Sequence, residues 1–216
     1  MSSERYLPAL RFPGLTRFFD PFIRLAMPER RFKQRLLEQA APKPGQRVLD
    51  LGCGTGTLAI MVKGAEPAAE VVGLDADPEI LERARAKAEG AGVEVQLDRG
   101  FSTELPYEEG SFDLVLSTLF FHHLTGADKR RTAEETARVL RAGGEVHVAD
   151  YGRPADPLMR ALVSSVRLVD GLERTRDNVA GALPQIFEQG GLERTTETDR
   201  MRTPLGTLAL YRARKP

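Results

Sequence analysis

A single cysteine in 216 residues excludes an internal disulfide and points to a reducing compartment, read as the cytoplasm. With only three histidines beside Cys53, a zinc cluster has too few ligands, and no metal site is expected. Lys+Arg and Asp+Glu both number 31, so there is no excess of either sign. That balance lacks the basic footprint of a nucleic-acid binder. No apolar run approaches the ~20 residues of a membrane span, and the amino terminus has no signal-peptide core. What remains is an ordinary globular composition, 41% hydrophobic and 29% charged, long enough to build the core of one α/β domain.

The chain is organised around Arg47 to Ile60. Val48-Leu49-Asp50-Leu51 is a short apolar run after Pro44-Gly45 and predicts a strand buried on both faces. Gly52-Cys53-Gly54-Thr55-Gly56 follows, and Leu58, Ala59, Ile60 and Val62 open a helix. Strand, glycine loop and helix set a ligand at the carboxyl edge of a parallel sheet. The glycines let backbone approach the ligand, and the helix end offers free N–H donors. A dinucleotide loop would read G-x-G-x-x-G, but the third glycine here comes one residue early. Asp50, two residues before the loop, would repel a pyrophosphate and attract a cationic amino acid group.

VLDLGCGTG resembles the first motif of the class I S-adenosylmethionine (SAM)-dependent methyltransferases, and the similarity extends over roughly Arg47 to Arg212. The overall pattern is most similar to the small-molecule enzymes of the ubiquinone/menaquinone-biosynthesis-like group. The resemblance implies SAM as cofactor, S-adenosylhomocysteine as product and a small-molecule acceptor. It places Asp50, Gly52, Cys53, Gly54 and Gly56 around the methionine part of the cofactor. An NAD-dependent oxidoreductase and a non-catalytic SAM-binding protein stand as alternatives. The oligomeric state is not readable.

The rest of the chain alternates. Glu70 to Asp75 is a second buried strand. Asp77 caps a helix with Pro78 at its first position; Ile80, Leu81, Ala84 and Ala88 form its inner face, and Gly90 or Gly92 ends it. Strands are expected at Val93 to Leu97, Phe112 to Ser117 and Glu145 to Tyr151. A helix is expected from Asp128 to Leu140, stopped by Gly143-Gly144. The rhythm requires a parallel sheet with helices on both faces. Asn178 to Gln189 reads as one helix. Leu192 to Arg200 and Thr207 to Arg212, joined by a short link, must be antiparallel. The expected fold is thus a Rossmann-like, doubly wound, mostly parallel seven-stranded α/β sheet with an antiparallel carboxyl-terminal strand pair. One domain is expected over 1–216. It comprises a helical cap over 1–44 with its last helix from Glu29 to Ala40, a cofactor-binding half over 45–152, a lid insertion over 153–178, and a final helix and strand pair over 179–216.

Asp75 ends the second strand, where an acid can accept hydrogen bonds from both ribose hydroxyls; the resemblance adds Ala76 and Ile80 against the adenine. Gly100, Phe101 and Ser102 follow the third strand. The family often carries an acid at the position of Phe101; here stacking of Phe101 and backbone approach replace it. Ser117 and Thr118 end the fourth strand, within reach of the methionine moiety, and His122 and His123 lie in a stretch similar to the family's HHL sequence. One of these histidines would face the acceptor as a base while the other holds the loop; the alternative is that both are structural, since adjacent residues point apart. Asp150, Tyr151 and Arg153 end the fifth strand, either as acceptor-pocket residues, with Asp150 or Tyr151 polarising a hydroxyl or amine, or as turn residues ahead of Pro154. His147, among valines, is expected to be a satisfied core histidine. Cys53 has no activating base nearby in sequence, so it is read as a small loop residue rather than a nucleophile.

Overall fold

The computed structural model describes residues 29–216 (for 165, 169 and 170, the backbone only). Of the helical cap expected over 1–44, residues 1–28 lie outside the described residues. Helix α1 spans Glu29–Ala40 and buries Phe32, Leu36, Leu37 and Ala40, the i, i+4, i+5, i+8 stripe that its sequence spells. Full burial of Phe32 and Leu36 contributes about 1.5–3 kcal/mol each.

The chain then runs through β1 (Arg47–Leu51), α2 (Thr57–Ala65), β2 (Glu70–Asp75), α3 (Pro78–Gly90), β3 (Gln96–Arg99) and β4 (Phe112–Thr118). A short 3-10 turn at Phe121–His123 leads to α4 (Gly126–Val139) and β5 (Leu140–Tyr151). The last third holds α5 (Pro157–Asp170), α6 (Arg176–Ala180), α7 (Leu183–Gln189), β6 (Glu193–Thr203) and β7 (Gly206–Arg214). The seven strands form one sheet in the order β3-β2-β1-β4-β5-β7-β6. β1 to β5 pair in parallel, and β7 lies antiparallel to both β5 and β6. Helices α1, α2 and α5 pack on one face, α4 and α7 on the other. β1 feeds both groups of contacts, Val48 to one side and Leu49 and Leu51 to the other, as a two-sided buried strand must. Because β1 lies between β2 and β4, crossovers leave it in both directions, and a crevice opens at the carboxyl ends of β1 and β4.

Several expected boundaries move, each for a local reason. β3 begins at Gln96 rather than Val93, because Val93 N is still bonded to Ala88 O in the turn that closes α3. Gly143-Gly144 does not end a helix. α4 stops at Val139 and Leu140 already pairs with Phe112, so the glycines form an irregularity inside β5 before Glu145 pairs with Leu114. A Cβ on Gly144 would sit 3.0 Å from both Arg141 O and Asp113 O, which is why the bulge needs glycine there. The helix expected over Asn178 to Gln189 is two, α6 and α7, parted at Gly181 with φ 74°.

Candidate active site

The Gly52–Gly56 loop is stapled to the end of β2. Gly52 N and Cys53 N both donate to Leu74 O, at 2.9 and 3.0 Å. Gly54 N donates to Asp75 Oδ2 at 2.9 Å, and Asp77 N donates to Asp75 Oδ1 at 3.0 Å. Each Asp75 oxygen has therefore accepted one bond, and a carboxylate with about four lone-pair sites keeps two for a ligand. Asp77 caps α3 by accepting from Glu79 N and Ile80 N, as its position before Pro78 requires.

Asp50 lies beneath this loop and not in it. It is buried; its Oδ2 accepts from Ala59 N at 3.0 Å, and Oδ1 has no hydrogen-bond partner. Helix α2 begins at Gly56 with no side-chain cap of its own, so the strand carboxylate satisfies a first-turn donor from a distance. Burial pushes the Asp50 carboxyl up to about 6, against the pull of Lys33 and of the Ala59 hydrogen bond. Asp50 thus supports the loop from below and is not among the residues that line the cavity above it. Gly56 is likewise out of the cavity lining, packed toward Ala84.

A cavity of about 560 Å3 opens above the loop. Of the residues singled out in the sequence, Gly52, Cys53, Gly54, Asp75, Ala76, Ile80, Gly100, Phe101, Ser102, Thr118 and His123 line it. Phe101 is half exposed and free to meet a flat ligand. Ser102 turns its hydroxyl away, to Thr132 Oγ1 at 2.8 Å. Cys53 packs its sulfur over Gly73, where a Cβ would lie 3.0 Å from Sγ. Burial, with Asp50 and Asp75 adding to it, pushes the thiol well above its ordinary range, so it stays protonated and inert.

Beyond β4 the chain is held tightly. Ser117 is not in the cavity; its hydroxyl donates to Leu51 O at 2.8 Å and ties β4 to β1. Leu119 adopts φ 52°, an uncommon conformation for a leucine, and lines the cavity. Phe120 lays its ring against Gly52, at whose Cβ position Cδ2 would be only 2.3 Å away. Asp150 is the hub. Its Oδ2 accepts from Phe120 N and His122 N at 3.1 and 3.3 Å, and its Oδ1 pairs with His122 Nδ1 at 2.7 Å. Burial alone would raise the Asp150 carboxyl, but His122 and the backbone donors hold it below its usual range. Asp150 and His122 are both buried and outside the cavity lining, so the pair orients the loop rather than meeting an acceptor. Tyr151 is buried too, edge-on to the His122 ring at 4.9 Å. His123 is the cavity-facing histidine, stacked on His122 at 4.0 Å between ring centres. Burial, then the neighbouring His122, push it down to about 3, so it is neutral at physiological pH.

Sequence reasoning missed the cavity's other wall. Glu29 and Lys33 from α1 line it, paired with each other at 2.7 Å, as do Asp77, Asp128 and Arg174. The i, i+4 spacing of Glu29 and Lys33 marks a shared helix face, but only docking of α1 brings that face to the loop. Arg174 is placed by its neighbours. Buried Lys129 reaches its carbonyl and lies 3.6 Å from Asp177, and Asn178 Nδ2 donates to Tyr151 O at 3.2 Å. His147, as expected, is a buried histidine with both ring nitrogens occupied, by Gln39 at 2.8 Å and Glu145 at 3.2 Å.

Comparison with known proteins gives this geometry a family. Residues 48–144 match the family described as a methyltransferase domain. A demethylmenaquinone methyltransferase of Thermus thermophilus is 40% identical over 124 residues, covering 57% of this chain and 56% of the relative. An uncharacterized methyltransferase of Synechocystis is 41% identical over 128 residues, covering 59% of this chain and 58% of the relative. The chain thus spans little more than half the length of these curated relatives. The crystal structure of YcgJ from Bacillus subtilis superposes with a TM-score of 0.65 at 19% identity, over 85% of this chain and 97% of that one, and shares the fold. Residues 48–144, with their strand, glycine loop and seven-stranded setting, are thus similar to the methyltransferase-domain family.

Proposed function

We propose that the chain transfers the methyl group of SAM to a small, largely apolar acceptor. The observation that carries this reading is the sign of charge around the cavity. Among the described residues, Glu29, Asp75, Asp77 and Asp128 line it, against Lys33 and Arg174. An excess of carboxylates suits a ligand bearing a sulfonium and an ammonium, and it opposes the pyrophosphate of a dinucleotide. This disfavours the NAD-dependent alternative on physical grounds, in agreement with the names of the relatives.

The residues present fit SAM. Asp75 retains acceptor capacity for a ribose diol, and Gly54 has nothing within 4 Å of its Cβ position, so backbone there is open to a close ligand. Ile80 and Phe101 flank the side where an adenine would lie, and Thr118 stands at the β4 end near the methionine part. Bound there, SAM would supply a methyl group already activated by its sulfonium. The chain's own task is to align the acceptor and exclude water, which can supply several kcal/mol. Leu119, Phe120 and Leu124 give the cavity an apolar wall for that purpose. Neutral His123 offers a hydrogen-bond acceptor toward the acceptor molecule, and the Asp150–His122 pair holds it in place.

The lid reading narrows within the insertion. Helix α5 buries Met159, Val163 and Val166 in the fold, whereas Arg174 reaches the cavity. We assign substrate covering to the stretch around Arg174. The decisive experiment is calorimetry with SAM, S-adenosylhomocysteine and NADH, followed by turnover on an acceptor panel that includes demethylmenaquinol. Tight NADH binding without SAM binding would sink the proposal, and SAM binding with no turnover on any acceptor would leave only a binding protein.

A further inference from the structure

The molecule has a second cavity, of about 500 Å3, and its electrostatics are the reverse of the first. It is lined by Arg153, Arg160, Arg167 and Arg176, with Pro154, Val179 and Ala180 completing the wall. Among the described residues no carboxylate lines it. Arg160 and Arg167 stand seven residues apart on α5, two turns along one face, beside the buried stripe of Met159, Val163 and Val166. Arg153 lies two residues beyond the end of β5, against Gly181, and Arg176 opens α6. Three separate elements therefore converge on one cationic space.

None of the four guanidinium groups makes an ion pair or a side-chain hydrogen bond with a described residue, and Arg167 Nε is buried with no hydrogen-bond partner among the described residues. Two acids close by along the chain are committed elsewhere. Asp156 caps α5 through Met159 N and pairs with Arg202 at 3.0 Å, and Asp177 faces Lys129 at 3.6 Å. Four like charges around one cavity repel each other, and a buried donor without an acceptor costs stability. Folding does not call for such an arrangement, but a multivalent anion relieves both penalties. Planar guanidinium forks suit phosphate oxygens, which they can bind in bidentate fashion.

We propose that this cavity binds a phosphate-bearing group, of the size of a pyrophosphate or a phospholipid headgroup. Exposed leucines stand on the same segment, Leu158 and Leu168 on α5 and Leu172 just after it. By helical phase Leu168 points opposite to buried Met159, with Arg160 and Arg167 between those two directions. Large apolar side chains next to arginines favour the headgroup of an anionic lipid over a soluble phosphate. The proposal does not depend on the methyl-transfer reading.

The test uses the intact protein in phosphate-free, low-salt buffer. One arm titrates sodium pyrophosphate by calorimetry. The other measures co-sedimentation with phosphatidylglycerol-containing vesicles and with pure phosphatidylcholine vesicles. Binding of pyrophosphate or of the anionic vesicles, weakened at least tenfold in Arg160→Gln/Arg167→Gln, is the expected result. Affinity for S-adenosylhomocysteine should stay unchanged in that variant. Binding in the vesicle arm that Leu168→Glu abolishes, while pyrophosphate binding persists, identifies a lipid source; binding of pyrophosphate alone identifies a soluble one. Should the double variant fail to fold, Arg153→Gln/Arg176→Gln carries the same expectation. The proposal is overturned if neither ligand binds the unaltered chain, or if binding survives undiminished in folded variants.

Discussion

Asp75 Oδ2 accepts a 2.9 Å hydrogen bond from Gly54 N, so the acid at the end of β2 shapes the loop after β1 as well as lining the cavity beside it. Its removal should act twice. Asp75→Ala is expected to weaken SAM and S-adenosylhomocysteine at least tenfold, since a charge-assisted bond contributes about 1.5–3 kcal/mol. It should also lower the urea midpoint, because Gly54 N and Asp77 N lose their acceptors. An unchanged affinity by calorimetry would rule out the ribose role.

Two loop glycines separate packing from ligand contact. A Cβ on Gly52 collides with the Phe120 ring, whereas one on Gly54 meets nothing within 4 Å, and both have positive φ. Gly52→Ala should cost about 2–5 kcal/mol from strain and overpacking together. Gly54→Ala should cost about 1–2 kcal/mol, from the backbone alone. If SAM approaches the loop backbone, Gly54→Ala loses affinity out of proportion to its small stability loss. Equal losses in both measurements would count against that approach.

Cys53→Ala should leave turnover within a few fold, since the sulfur only packs over Gly73. In the native protein the thiol should resist iodoacetamide at pH 8, because burial keeps it protonated. Loss of turnover with SAM affinity intact would restore a chemical role.

Asp150→Ala removes the acceptor for Phe120 N, His122 N and the His122 ring at once. Breaking a buried pair in this way costs about 3–5 kcal/mol. His123→Ala, by contrast, touches the cavity side and should reduce kcat/KM more than stability. Denaturant melts of the two variants set beside their steady-state kinetics give the comparison, and a reversed pattern would exchange the roles assigned to them.

Burial pushes His147 down to about 4, against the pull of Glu145, from a free value near 6.5. The unfolded chain therefore binds the proton more readily between those values. The contribution of His147 is fully present above pH 6.5, falls as pH drops, and is lost once pH passes below about 4. Its span is roughly 3 kcal/mol. Asp50, raised to about 6, runs the other way and gains as pH falls below 6. The clean measurement is the difference in unfolding free energy between the unaltered chain and His147→Gln at pH 7, 5 and 4. The stability advantage of the unaltered chain should shrink across that series, and a constant difference would contradict a buried neutral imidazole.

The sequence alone determined the alternation of elements, the seven-stranded mixed sheet, the glycine loop and the acid after β2. Those features are written in local pattern: apolar runs of strand length, glycines where φ is positive, and Asp77-Pro78 at a helix start. It predicted Cys53 as a small loop residue and His147 as a core histidine from their neighbours in sequence, and both are buried. Only the tertiary structure decided which way side chains one residue apart would face. His123 enters the cavity while His122 turns to Asp150, and Thr118 lines it while Ser117 binds Leu51 O. It also set Asp50 beneath the loop against Ala59 N, and brought Glu29, Lys33 and Arg174 to the cavity from distant parts of the described chain. The four arginines of the second cavity stand at 153, 160, 167 and 176, the first three seven residues apart, but only Arg160 and Arg167 share a helix. Their convergence depends on how α5 and α6 pack against the end of β5, and that is a property of long-range contacts which no local pattern encodes.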